Sequence, residues 1–244
     1  DEQIVFDHAW VNRIILFLRR WWIVKNDANQ KKAFNPIPKP IIHLTHDVDA
    51  VTKTLPIRAK QALFWTYNGS ILRAIKFFFN PANYWQFDNI MKIEKSFGYT
   101  STWNFYGGKG GWFRSPKDII FDPSYTVISS SIQKQIRKMF YQGHVIGLHQ
   151  SFDTWNDTEK MFKEKVTIEK ALGNNIFTCR QHWLRFSFDK TWNTQANAGL
   201  KTDMTLGFND RPAFRNSAAV SFKDKLSGMR VIPMVLMDSH LYDY

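Results

Sequence analysis

Asp47 and Asp49 stand two residues apart at the end of an apolar run, Ile41-Ile42-His43-Leu44-Thr45. Side chains alternate along a strand, so positions 45, 47 and 49 share a face and the two carboxylates point to one side. Such a pair suits one metal ligand beside one general base. His149 ends a second apolar run, and Asp153 follows four residues later, on the same face if a helical turn begins there. Arg180, His182 and Arg185 sit at the end of a third run, and Asp203 lies in a fourth. Asp, His and a further nitrogen or oxygen donor meet the needs of a zinc-like ion that keeps one position open for water. Taken singly, each residue also has a plainer reading, since an Asp after a strand often caps a helix or closes a turn. His144 falls on the opposite strand face from His149, His43 lies deeper than Asp47, and His46 points the other way, so all three are read as structural. Cys179 is read as an inert buried thiol. What points to chemistry is that successive strand ends deliver ligand-type residues.

Those residues converge only if the strands are parallel neighbours, because polar residues at the carboxyl ends of parallel strands meet on one rim. The pattern supports this. Strands are expected at 41–45 running on to 49, 99–105, 144–149, 176–182 and 200–206, with a last one beginning at Val231. Helices are expected near 86–97, 131–142, 157–172 and 188–198, with Gly98, Gly143, Gly173 and Gly199 as their C-terminal stops. Strand and helix in alternation argue for a parallel sheet, as a barrel or doubly wound. Gly107, Gly108, Gly110 and Gly111 surround Lys109 without P-loop spacing and are read as a hinge or rim. Arg58 to Phe79 is a basic, aromatic segment stopped by Asn80-Pro81, and residues 30–40, with Pro36, Pro38 and Pro40, form an extended connector. Residues 3–24 repeat apolar positions at helical period with Arg13, Arg19 and Arg20 between them. The favoured reading is a helix packed on its own domain with arginines complementing the dipole; the other is a helix resting on an anionic bilayer.

The chain has 244 residues, 44% of them hydrophobic, which excludes a disordered tail. One cysteine excludes an internal disulfide framework and a Cys-rich zinc site. The longest N-terminal apolar run, Ile14–Leu18, falls far below the ~20 residues of a membrane span, and no secretory signal is visible. A cytoplasmic location follows as the expectation; on the bilayer reading of the N-terminal helix, membrane association accompanies it. The formal charge of +12 calls for an anionic partner. No nucleic-acid motif accompanies it, so an anionic glycan, or the membrane that holds its lipid-linked precursor, is expected rather than nucleic acid.

Four motifs in order carry a resemblance to a known family. Leu44-Thr45-His46-Asp47-Val48-Asp49, Gly143–His149, Arg180-Gln181-His182-Trp183, and Asp203–Phe208 with Phe214-Arg215 after it, look like successive motifs of the polysaccharide deacetylases (carbohydrate esterase family 4, NodB-like). The nearest likeness is to the group with His-Asp-Val-Asp and Arg-Gln-His motifs, some of which accompany bacterial O-antigen and other surface-polysaccharide (lipopolysaccharide) biosynthesis. The match runs over about 41–237. The resemblance implies an α/β fold, a distorted, incomplete (β/α)7-type barrel over residues 36–244, preceded by an N-terminal helical arm over residues 1–35. It implies a divalent metal, zinc above all, and hydrolysis of the amide of an N-acetylated sugar. By motif match Asp47 is the catalytic base, Arg180 orients it, Asp49 and His149 are metal ligands, and Trp183, Arg185, Asp203 and Arg215 fall among the substrate-binding positions. Two positions depart. The second metal histidine is replaced by Asp153, with His182 as another candidate ligand. The late Leu-x-His motif reads Leu236-Met237-Asp238, leaving His240 as the candidate acid. The alternative is a degenerate barrel that binds glycan without hydrolysing it.

Overall fold

The computed structural model describes residues 4–25, 34, 36–37, 39–79, 84–111 and 114–241. Much of the expected connector at 30–40 lies outside them. Seven strands form one sheet in the order β1-β2-β3-β4-β5-β7-β6: β1 (Leu44–Val48), β2 (Ser101–Tyr106), β3 (Val145–Gln150), β4 (Thr178–Gln181), β5 (Thr202–Asp203), β6 (Phe222–Lys223) and β7 (Arg230–Val231). All neighbours are parallel except β6 and β7. The first five strands follow chain order without a reversal. Crossovers of one hand therefore carry the intervening helices to the same face, as in a barrel and unlike a doubly wound sheet. The expected barrel is nonetheless not closed, because no hydrogen bonds join the outer strands β1 and β6 among the described residues.

The ladder register decides which side chains meet. Asp47, Asn104 and Gly147 lie abreast, and Tyr106, His149 and Arg180 form the next row on the same face. Val48, Phe105, Leu148 and Cys179 alternate to the other face and are buried there. Helices α7 (Ser130–Tyr141), α8 (Thr158–Leu172) and α9 (Thr191–Asn197) cover it, contributing Ile136, Met139, Ile168 and Trp192 to one core. Cys179 is fully buried, and burial pushes its thiol well above the ordinary range, as an inert filler requires. His46 stacks on Trp103 and bonds Glu94 at 2.7 Å, and His144 accepts from the Ser101 amide; both serve the fold, joined through the Ser101–Glu94 hydrogen bond.

Helix endings follow local chemistry. α8 is capped by the Asp157 carboxylate, which accepts from the Lys160 amide, and it stops at Gly173 with φ +83°. α5 (Phe87–Ser96) agrees with its expected span. The basic, aromatic segment that ends at Phe79 forms a hairpin, α3 (Leu55–Tyr67) and α4 (Ile71–Phe79), broken at Gly69 with φ +73°. α6 (Pro116–Phe121) is short and has no periodic apolar pattern to announce it.

At the N-terminus α1 (Ile4–Asp7) and α2 (Trp10–Lys25) bury no residue. The Val11 amide donates to Ser217, the Phe214 amide to Phe6, and the Phe6 ring meets Phe208 edge-on. Beyond that attachment Ile14, Phe17, Leu18 and Trp21 are exposed. The favoured reading of a helix packed on its own domain therefore holds only for α1 and the first turn of α2, where Asn12 also accepts from the Ala219 amide.

Candidate metal centre

Three donors converge at the carboxyl end of the sheet. One ligand atom from each of Asp49, His149 and His182 lies within 4.8 Å of the others. β1 delivers Asp49, β3 ends in His149, and His182 opens a 3-10 turn directly after β4. His149 Nδ1 faces the Arg180 carbonyl at 2.9 Å, so it donates there and leaves the Nε2 lone pair for the centre. That Nε2 lies 3.2 Å from Asp49 Oδ1 and 2.6 Å from His182 Nδ1. Two ring nitrogens turned on each other repel unless a proton or a cation lies between them. Burial opposes a charged His149, but Asp47 and Asp49 overcome it and raise its pKa to about 9. Burial and the neighbouring His149 charge push His182 down to about 4. One positive charge is wanted by this trio, and its mixed nitrogen and oxygen donors suit a divalent ion of the zinc type.

Beside the trio, Asp47 is held from two sides. Asn104 Nδ2 donates to its Oδ1 at 2.9 Å, and Arg180 Nη1 lies 3.3 and 3.4 Å from its two oxygens. Burial alone would raise this carboxyl, but Arg180, His149 and Asn104 outweigh it and keep it below the usual range. Arg180 is itself fixed, since its Nε donates to the Met204 carbonyl at 2.9 Å. An ionised carboxylate aimed at one place is what a general base requires.

The turn after β4 carries strain. Trp183 and Leu184 take φ of +57° and +47°, a left-handed conformation uncommon for bulky residues. Asn209 Nδ2 donates to the Trp183 carbonyl, and the Trp183 indole donates to the Phe121 carbonyl. The tight turn points His182 inward and leaves Trp183 half-exposed beside Phe121 and Phe152, which stack at 4.5 Å.

The other sequence-based candidates are placed differently. Asp153 is not in the trio; Arg185 bonds one of its oxygens at 2.7 Å and Lys117 the other, and these cations hold it ionised. Arg185 also donates to the Phe152 carbonyl and lies 4.1 Å over the Phe152 ring, so it braces the aromatic cluster. Asp203 is fully buried rather than on the rim. It lies abreast of Cys179 in the ladder, on the helix-facing side, and accepts from Trp192, Gln195 and Thr205. Arg215 donates to the Gly207 carbonyl and packs between Phe186 and Phe208, a bracing position without contact to the trio. His240 accepts from the Met237 amide and faces the Phe208 carbonyl at 3.2 Å, so both its ring nitrogens are engaged away from the trio.

Asn104 was missed by sequence reasoning, although the strand-end rule that found Asp47 would have reached it. Lys117 and Phe121, on α6, were missed as well. The signal for that helix is Ser115-Pro116: the Ser115 hydroxyl accepts from the Asp118 amide, and proline takes the first turn.

No family model matches the chain, and no curated protein matches it. Two solved structures are similar to it. One is a candidate polysaccharide deacetylase from Mycobacterium smegmatis, 16% identical, with 82% of this chain and 62% of that one covered and a TM-score of 0.47. The chain thus spans about 62% of the length of that protein. The other is the Streptococcus pyogenes deacetylase PplD in complex with acetate, 13% identical, with 82% and 94% covered and a TM-score of 0.40.

Proposed function

We propose that the chain is a metal-dependent hydrolase that removes the acyl group from an N-acylated sugar of a bacterial surface polysaccharide, of the O-antigen type. The observation that carries this reading is the Asp49–His149–His182 trio with the ionised Asp47 beside it, on the motifs that resemble the polysaccharide deacetylases. Asp49, His149 and His182 would hold the cation, zinc by the chemistry of the donors. A divalent ion there supplies polarisation of an amide carbonyl and a water acidified to a pKa of about 7.

The chain's own residues do the rest. Asp47 accepts the proton of the attacking water as its oxygen bonds to the amide carbon. Arg180 and Asn104 keep the carboxylate ionised and turned toward that proton. The carbon–nitrogen bond then breaks, and the proton taken by Asp47 passes to the leaving amine; the products are an amino sugar and a carboxylic acid, which gives its remaining proton to solvent. Trp183, half-exposed, offers a flat face on which a sugar ring can stack. A second reading, glycan binding without hydrolysis, is favoured by the engagement of His240 elsewhere, which leaves Asp47 to act as both base and acid.

Release of acetate from an N-acetylated oligosaccharide, by protein supplied with zinc, tests the proposal. Acetate formation that chelator abolishes and zinc restores supports it. A folded, zinc-loaded protein that stacks oligosaccharide on Trp183 and releases nothing selects the binding reading.

A further inference from the structure

Between Asp49 and Asp88 the chain holds Lys53, Arg58, Lys60, Arg73 and Lys76 and no Asp or Glu. This segment builds the α3–α4 hairpin, whose two helices pack chiefly on each other, with Trp65 stacked on Phe77 at 5.7 Å. On α4 the inward side is Ala74, Phe77 and Phe78, at helical spacing. The outward side is just as apolar: Ile71, Leu72, Ile75 and Phe79 are 63, 83, 52 and 72% exposed. On α3, Leu63 and Tyr67 continue it at 70 and 92%. Arg73 and Lys76 are exposed at its border, with the Arg73 guanidinium 4.9 Å over the Trp65 ring. An apolar surface that extends well beyond the partner helix calls for further cover.

We propose that the α3–α4 hairpin docks on an anionic lipid bilayer. Apolar side chains that enter the headgroup boundary, edged by cations that meet phosphates, are the two parts of an interfacial contact. A second copy of the chain fits worse, because a symmetric contact would set this acid-free segment against itself, cation to cation. The helices are not long and apolar enough to cross a membrane, so the contact is peripheral. α2 carries the same composition, with Trp21 and Trp22 exposed near Arg20 and Lys25, and offers a second contact of this kind. The hairpin follows the strand that delivers Asp47 and Asp49 after only a few residues. Docking there sets the sheet's carboxyl rim near the headgroups and favours a glycan carried on a lipid, a consequence that rests on the function proposed above.

Flotation with vesicles tests the contact. The protein should rise with phosphatidylcholine vesicles containing phosphatidylglycerol and not with phosphatidylcholine alone, and added salt should release it. Each of Arg73→Gln and Lys76→Gln should weaken partition roughly five-fold, and Leu72→Ser with Ile75→Ser should abolish it. Circular dichroism and zinc content should stay unchanged in these variants, which separates a failure here from a failure of the metal site. Equal partition into both vesicle types, or into neither, overturns the proposal. So does a solution dimer that the Leu72→Ser, Ile75→Ser variant dissociates, which would assign the face to a second copy.

Discussion

Asp47 works because its neighbours outweigh its burial. Replacing it with Asn keeps shape and Asn104 contact but removes the proton acceptor, so deacetylation should fall by about 10²- to 10⁴-fold while zinc content stays at wild-type level. The proposed ligands should behave in the opposite way. Asp49→Ala, His149→Ala and His182→Ala should each cost more zinc affinity than the roughly 10–100-fold that loss of an outer-shell partner costs, whereas Asp153→Ala should leave zinc content intact. Metal analysis of the four purified variants checks this. An Asp153→Ala protein without zinc would restore the ligand set expected from motif position. The distinction turns on charge: Asp153 already has Lys117 and Arg185, whereas Asp49, His149 and His182 have one another.

At the scale of elements, β3 positions the site as much through an absent side chain as through His149. Gly147 lies abreast of Asn104, and a Cβ there would collide with the Asn104 amide oxygen and with Thr178 Oγ1. Gly147→Ala should therefore cost about 1–3 kcal/mol of stability and lower activity by moving Asn104 off Asp47; urea denaturation and turnover of the same sample check both. α8 carries a second test. Its Glu164 is buried against the Ser151 amide and hydroxyl, just after β3. Burial pushes its pKa from 4.5 up to about 7 despite those bonds. A raised carboxyl contributes stability that is complete below pH 4.5 and is lost as pH rises through 7, a change of roughly 3 kcal/mol. The stability difference between wild type and Glu164→Gln should shift by that amount between pH 4.5 and 8 in favour of the variant, as read by urea denaturation at each pH.

For the molecule as a whole, the proposed metal site would link metal to fold. An ion that binds the folded chain and not the unfolded one stabilises it by about 2.7 kcal/mol at a hundred times its dissociation constant. For a chain of this size that corresponds to a fall in Tm of roughly 5–10 °C on chelation, reversed by zinc and absent in His149→Ala; calorimetry checks it. The sequence by itself determined the alternation of strands and helices, their glycine stops and the strand ends that carry Asp47, Asp49, His149 and Arg180. These are local matters, since period, capping and strand parity act within a few residues. It also showed a basic, aromatic stretch before residue 80 without saying that its apolar side lies outward. Only the tertiary structure decided which ligand-type residues meet. Ladder register turned Asp203 to the helices, and a strained turn brought His182 in while leaving Trp183 out. Lys117, on a helix with no periodic signal, drew Asp153 away. Register, strained turns and ion pairs couple residues far apart in the chain, and no spacing along the sequence encodes that coupling.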